Sequence, residues 1–171
     1  MGTSPDVWLN LQNAYDQKLI EIQQAKDFDE QAEIVRLIDY KYFIEVVGLP
    51  VTKAIKEKIA NLCGWFKVSD LRIMLTPDFL VNYRTGVSNV NEKNIINSRA
   101  WIQTAINFSH RIETKPYDTE KLKAYLPELR SMTVQSPEVF MPRMREIFAE
   151  CGVAFVLLPN LKNSGVNGAV K

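Results

Sequence analysis

The chain has 171 residues, enough for one domain or two small ones with a buried core. Its 46% hydrophobic and 24% charged residues are an ordinary globular composition and exclude a disordered chain. A formal net charge of +1 excludes a global pull towards nucleic acid, membrane or acidic substrates, while a local basic face stays open. The N-terminus has no charged start, apolar run and small-residue cleavage site, so no signal peptide is expected. The longest apolar runs, such as Val153 to Pro159, are too short to span a bilayer. Cys63 and Cys151 lie far apart inside apolar helical patterns and read as buried thiols in a reducing compartment rather than as a disulfide. A cytoplasmic protein with no membrane partner is expected.

Thr3-Ser4-Pro5-Asp6 combines a hydroxyl cap, an early proline and a first-turn carboxylate, which together start a helix. That helix places Trp8, Leu11, Tyr15, Leu19 and Ile22 on one face. A polar turn around Lys26-Asp27 leads to a second pattern. There Ile34, Leu37, Ile38, Phe43, Val46 and Val47 form a broad apolar surface, stopped by Gly48 and Pro50. Thr52 caps a third helix with Ile55, Ile59, Leu62 and Phe66 on its inner face. Ser69-Asp70 opens a short fourth, and Thr76-Pro77-Asp78 a fifth. Thr85 to Asn89 reads as a loop. A long helix from Asn91 carries Ile95, Ile102, Ile106, Phe108 and Ile112 and ends before Pro116.

Asp118-Thr119 caps a helix with Leu122, Tyr125, Leu126 and Leu129, which Pro127 tightens or kinks. Ser136-Pro137-Glu138 opens the last helix, with Phe140, Met144, Ile147 and Phe148, ending at Gly152. The character then changes. Val153 to Leu158 suits a buried strand, Asn160 to Gly165 is turn chemistry, and Val166 to Val170 begins a second strand. The expected fold class is mainly α: a multi-helix bundle with a short C-terminal β-hairpin or two-strand element.

No residue set amounts to a catalytic centre. His110 is the only histidine, and a zinc helix of the HExxH kind needs two, so it reads as a surface or partly buried helix residue. Ser4, Ser69, Ser136 and Thr52 occupy capping positions, and none lies in the context of a nucleophile elbow. Trp8, Tyr15, Trp65, Phe66 and Trp101 read as core aromatics before a ligand box. Arg72, Arg84, Arg99, Arg111 and Lys93 are interleaved with acids and read as a mixed solvated surface before a phosphate-binding face. Asn91-Glu92-Lys93-Asn94 can offer an anion a helix N-terminus. Asn163-Ser164-Gly165 with Gly168 lacks the spacing of a phosphate cradle and reads as turn residues. Neither cysteine has neighbours that would activate it.

Two segments resemble a known family. Gly2-Thr3-Ser4-Pro5-Asp6-Val7-Trp8-Leu9-Asn10-Leu11-Gln12, continuing to Asp16, resembles the closing helix of the helix-turn-helix head in HigA-like antitoxins of the XRE regulator class. Leu126-Pro127-Glu128-Leu129-Arg130 through Cys151-Gly152 to Pro159, then Val166-Asn167-Gly168-Ala169, is similar to the lead-in of ImmA/IrrE-type metallopeptidase domains. The resemblance implies three regions. Residues 1–25 would be the closing helix of the head, 26–117 a helical linker or scaffold, and 118–171 the start of an incomplete ImmA/IrrE-like α+β domain.

In such regulators the DNA-reading helix comes before the first phrase and the HExxH helix after the second, so this chain reads as a fragment holding neither. The implied function is non-catalytic: a scaffold and dimerisation region of a toxin–antitoxin-type transcriptional regulator. The implied partners are a second copy, operator DNA through the head of the parent protein, and a toxin. No cofactor is expected here, zinc belonging only to a longer parent. The expected interaction surfaces are Trp8, Leu11, Tyr15, Leu19 and Ile22, together with Ile34, Leu37 and Phe43. Two alternatives stand beside this: an incomplete zinc metallopeptidase whose metal helix lies beyond Lys171, and a stand-alone interaction module.

Overall fold

The computed structural model describes residues 4–76, 82–85 (backbone), 91–132 and 134–171. It is mainly helical. In chain order the described elements are α1 (Pro5–Leu37), α2 (Tyr40–Val47), α3 (Ile55–Phe66), a 3₁₀ turn (Leu71–Leu75), β1 (Asn82–Thr85), α4 (Glu92–Ser109), α5 (Thr119–Met132), α6 (Pro137–Glu150) and β2 (Val166–Val170). The chain forms two compact units, residues 1–100 with 161–171, and residues 101–160. Of the helix expected from Thr76-Pro77-Asp78, residues 77–81 lie outside the described residues and Asn82 onwards is β1. Of the loop expected from Thr85 to Asn89, Thr85 is the last residue of β1 and the rest lies outside the described residues.

In the first unit α1 begins at Pro5, as the capping signals predict, but it does not pause at Lys26-Asp27. Nothing between Gln23 and Glu30 breaks a helix: there is no Gly or Pro, and Gln, Ala, Lys and Glu are good helix formers. Local contacts also hold that turn, with Gln23 Nε2 donating to Asp27 at 2.8 Å and Lys26 pairing with Glu30 at 3.9 Å. Arg72 adds an anchor from the 3₁₀ turn, its guanidinium reaching Asp27 at 2.7 Å, Glu30 at 2.9 Å and Asp70 at 2.5 Å. The Arg72 hydrogen bonds hold the Asp70 carboxyl below the usual carboxylate range. Asp70 also caps the turn by accepting from the Arg72 backbone N–H at 2.8 Å.

The chain breaks instead at Ile38-Asp39, and α2 then runs to Gly48, whose φ of 83° closes it in the left-handed region. Phe43 is the hub of this core. It is 0% exposed, and its ring meets Tyr42 and Phe66 edge-on at 5.3 and 5.5 Å. Ala32, Ile34 and Val35 of α1, Leu62 of α3, and Leu71 and Met74 of the 3₁₀ turn are buried in the same unit. Burial also pushes the Tyr42 hydroxyl up to about 12. Thr52 does not sit at the N-cap of α3, which is Ala54; its hydroxyl accepts from the Ala54 N–H at 3.1 Å and donates to Glu57.

Helix α4 opens on a reciprocal cap. Asn94 N–H donates to Asn91 Oδ1 at 2.9 Å, and Asn91 N–H donates to Asn94 Oδ1 at 3.3 Å. The buried Asn97 amide donates to the carbonyls of Leu37 and Lys93, at 2.9 and 2.8 Å, and so ties α4 to the end of α1. The helix ends at Ser109, short of Pro116, leaving Ile112 exposed while Ile102 is buried as expected.

β2 does find a partner, though a different one from the hairpin neighbour expected. It pairs antiparallel with β1, Asn82 opposite Val170 and Arg84 opposite Gly168, with a register shift between Arg84 and Thr85. Val153 to Leu158 forms no strand; it is irregular and mostly half-buried in the second unit. Its β-branched, apolar content suits a strand, but a strand requires a ladder partner that the segment's own sequence does not name.

In the second unit α5 runs through Pro127 without ending and packs on α6. Met132, Ile147 and Cys151 are buried there against Leu122, Tyr125, Leu129, Phe140 and Met144. Asp118 Oδ1 accepts from the Lys121 N–H at 3.0 Å, which is the predicted cap of α5. α6 ends in a Schellman motif: Val153 N–H donates to the Phe148 carbonyl at 2.8 Å and Gly152 N–H to that of Ala149 at 3.2 Å. Gly152 has φ +79°, and a Cβ there would lie 2.4 Å from both the Cα and the N of Tyr117. Among the described residues no helix is long and apolar enough to cross a membrane.

Two variants test these cores. Phe43→Ala should cost the first unit about 3–5 kcal/mol in urea unfolding, the range for truncating a buried aromatic. Gly152→Ala should cost the second unit more than about 2 kcal/mol, because left-handed strain of about 1–2 kcal/mol adds to a backbone clash that no rotamer relieves.

Candidate interaction surface

At about 100° of rotation per residue, Val7, Trp8, Leu11, Ala14, Tyr15, Leu19, Ile22 and Ala25 fall within an arc of roughly 140° on α1. The opposite side carries Asp6, Asn10, Gln12, Asn13, Asp16, Gln17, Glu21, Gln23 and Gln24, together with two exposed apolar residues, Leu9 and Ile20. No side chain from Ser4 to Lys26 is buried, and Leu11 and Ile22 are 61% and 57% exposed. Trp8, Tyr15 and Leu19 are exposed as well, so this half of the helix presents to solvent an apolar stripe that Lys18 interrupts. Patches of this kind are uncommon on an isolated soluble domain.

The stripe does not continue the side on which α1 is packed. The buried residues of α1, Ala32, Ile34 and Val35, centre on a direction roughly 130° away around the helix, Ala32 alone lying in the direction of the stripe's edge. The rod therefore buries mainly one side near its C-terminal end and exposes another near its start. Gln12 at the rim donates to Asp16, and Lys18, which lies within the arc, pairs with Glu21 beyond its edge, each at 2.8 Å. The Lys18 ammonium is drawn to the rim by Glu21, which leaves its alkyl stem across the stripe.

The expected surfaces therefore separate. Trp8, Leu11, Tyr15, Leu19 and Ile22 share the exposed stripe. Ile34 and Phe43 do not belong to any outer surface, at 3% and 0% exposure, and Leu37 is half-buried beside them with its carbonyl taken by Asn97. The second apolar pattern is consumed by the core of its own unit. Trp8 and Tyr15 likewise leave the expected core set, in which Phe66 is buried and Trp65 and Trp101 half-buried. Sequence spacing missed Val7, Ala14 and Ala25 as members of the stripe, although a helical projection places all three there.

The remaining candidates resolve into structural roles. Arg72 is held by three carboxylates, Arg99 donates to the Met74 carbonyl, and Arg111 lies over the Phe108 ring at 5.1 Å. The side chain of Arg84 lies outside the described residues. At the N-terminus of α4 the Asn91 and Asn94 amides are taken by the reciprocal Asn91–Asn94 cap. His110 is exposed, Cys151 is buried, and half-buried Cys63 has a thiol pushed up chiefly by burial. Asn163 and Gly165 adopt positive φ and form the turn before β2. Among the described residues no group of three or more His, Cys, Asp or Glu is placed to hold a metal. A shallow depression of about 470 Å³ beside Lys115, Tyr117 and Lys121 contains a Lys121–Glu150 ion pair at 2.9 Å.

No family model, no curated protein and no solved structure matches the chain.

Because the stripe makes no core, truncating it should leave folding almost untouched. Leu11→Ala and Ile22→Ala should each shift the urea-unfolding free energy of the first unit by no more than about 0.5 kcal/mol, measured at the lowest workable protein concentration. A loss of about 2 kcal/mol or more, the scale of a core truncation, would mean that the stripe is packed within the monomer.

Proposed function

We propose that this chain is the non-catalytic helical portion of a toxin–antitoxin-type transcriptional regulator, and that α1 is the surface through which it associates. The observation that carries the reading is the solvent-exposed apolar stripe on a helix whose other end is anchored in a core. Such a stripe lowers its free energy by leaving water, at about 25 cal/mol per Å² of apolar surface covered. The likeness of the Gly2–Asp16 phrase to the closing helix of HigA-like heads supports the family reading. The Cys151–Ala169 likeness to the ImmA/IrrE lead-in supports a parent with a peptidase-like tail. On this reading the chain is a scaffold that dimerises, operator DNA is bound by the parent's head, and a toxin is the further protein partner.

Two measurements test it. In light scattering over a concentration series, the chain should reach twice its monomer mass, and Leu11→Asp combined with Ile22→Asp should return it to the monomer. In a gel shift, the product of the natural gene should retard DNA from its own upstream region, and the same double substitution should weaken that retardation at least tenfold. A monomer at every concentration would overturn the scaffold reading, and no retardation of upstream DNA would overturn the regulator reading.

A further inference from the structure

We infer that the α1 stripe is occupied by α1 of a second copy lying antiparallel, with the two-fold axis passing between Asp16 and Gln17; this rests on the dimerisation reading above. Written as heptads, the stripe has Trp8, Tyr15 and Ile22 at the first core position and Leu11, Lys18 and Ala25 at the second. An antiparallel pair with full overlap then forms six layers. Trp8 faces Ala25 of the second copy, Leu11 faces Ile22, and Tyr15 faces Lys18, each twice.

Side-chain chemistry selects this arrangement over the parallel one. In parallel register Lys18 meets Lys18 in the middle of the seam, and Trp8 meets Trp8 at one end while Ala25 meets Ala25 at the other. That places like charges together, crowds one layer and leaves another underfilled. Antiparallel register sets the largest side chain against the smallest. It also sets each Lys18 against a Tyr15 ring, a cation–π geometry that tolerates the charge. The parallel pair would gain two rim contacts between Glu21 and Lys26. Exposed pairs of that sort contribute little, and both residues already have partners in Lys18 and Glu30.

The packing of the first unit leaves room for full overlap. The stripe centres roughly 130° away from the packed side of α1, and residues 26–29 are exposed or half-buried, so the N-terminal turns of a second copy can pass them before the buried residues begin at Ala32. Arg72, Gln31 and the 3₁₀ turn all engage α1 away from the stripe. A second copy also fits better than an unrelated helix, because one sequence supplies both the large and the small member of each unequal layer.

The test is disulfide trapping in the whole chain. Leu11→Cys and Ile22→Cys are made separately and together by co-expression, then oxidised mildly, with bonds located by mass spectrometry against wild type to account for Cys63 and Cys151. Eleven residues of helix separate the two positions by about 16 Å, far beyond the 4.4–6.8 Å Cα spacing, roughly, that a disulfide requires. The antiparallel pair predicts a disulfide joining position 11 of one copy to position 22 of the other in the co-expressed sample, and at least tenfold less dimer from either variant alone. A strong disulfide between the two copies of position 11 would mean a parallel pair, overturning the inference and leaving the dimerisation reading intact. A dimer by light scattering with no link in any sample would place the interface elsewhere and overturn the inference. A monomer throughout would overturn the inference and the reading it rests on.

Discussion

An α-helix turns by about 100° per residue, so a rod that does not break fixes the direction of every side chain along it. Helix α1 is such a rod for 33 residues. Once the turn from Gln23 to Glu30 is helical, the apolar residues before it and those after it must point in different directions. The Arg72 cluster makes that constraint firm, because one guanidinium bridges two successive acidic turns of α1 to Asp70. A break at Lys26-Asp27 would have let the first helix fold back and bury Trp8, Leu11 and Tyr15 against its own unit. The continuous helix forbids it.

The core of the first unit is built to hold the end of this rod. Phe43 meets the rings of Tyr42 and Phe66 edge-on, and the Asn97 amide takes the Leu37 carbonyl at the point where α1 ends. A carbonyl in the last turn has no intrahelical donor, so a buried amide that supplies one removes a desolvation cost of about 1–3 kcal/mol. Tyr40 continues the seam, its hydroxyl donating to the Pro50 carbonyl at 2.9 Å and accepting from Asn61 at 2.8 Å. Polar groups thus position the apolar ones: α1 is clamped at its C-terminal third and exposed along its first two-thirds.

What sequence reveals here depends on the range of the physics involved. Caps are local: Asp70, Asp118 and Gly152 act where the residues themselves place them, and Ser4 stands at the N-cap position ahead of Pro5, though its side chain makes no capping hydrogen bond. The stripe on α1 is legible for the same reason, since spacing alone puts Trp8, Leu11, Tyr15, Leu19 and Ile22 together. Whether an apolar face is covered is not local. Ile34 and Phe43 carry the same pattern as Leu11 and Ile22, yet the first pair is buried because α3 and the 3₁₀ turn arrive from later in the chain. Strands suffer most: Val153 to Leu158 has strand composition without a ladder, whereas β2 finds its ladder in β1, more than 80 positions earlier. The pause expected at Lys26-Asp27 treats polarity as a break, when only backbone geometry or a missing donor breaks a helix.

The exposed half of α1 is costly as a free-standing helix, which bears on why a stripe is there at all. Helices of this length held only by their own hydrogen bonds are marginal in water, and stability comes from strong helix formers or from packing. This segment has few of the first kind. Val7, Trp8, Asn10, Asn13, Tyr15, Ile20 and Ile22 each cost a few tenths of a kcal/mol or more relative to alanine. The side-chain pairs along it, Gln12 with Asp16 and Lys18 with Glu21, return only about 0.2–0.5 kcal/mol apiece. A helix selected merely to stand in solvent would be richer in alanine, glutamate and lysine. Here β-branched and aromatic residues occupy positions where propensity disfavours them, a cost that contact with another surface would offset. This composition supports the association proposed for the stripe, while Ile34, Val35 and the Arg72 cluster hold the far end of the helix.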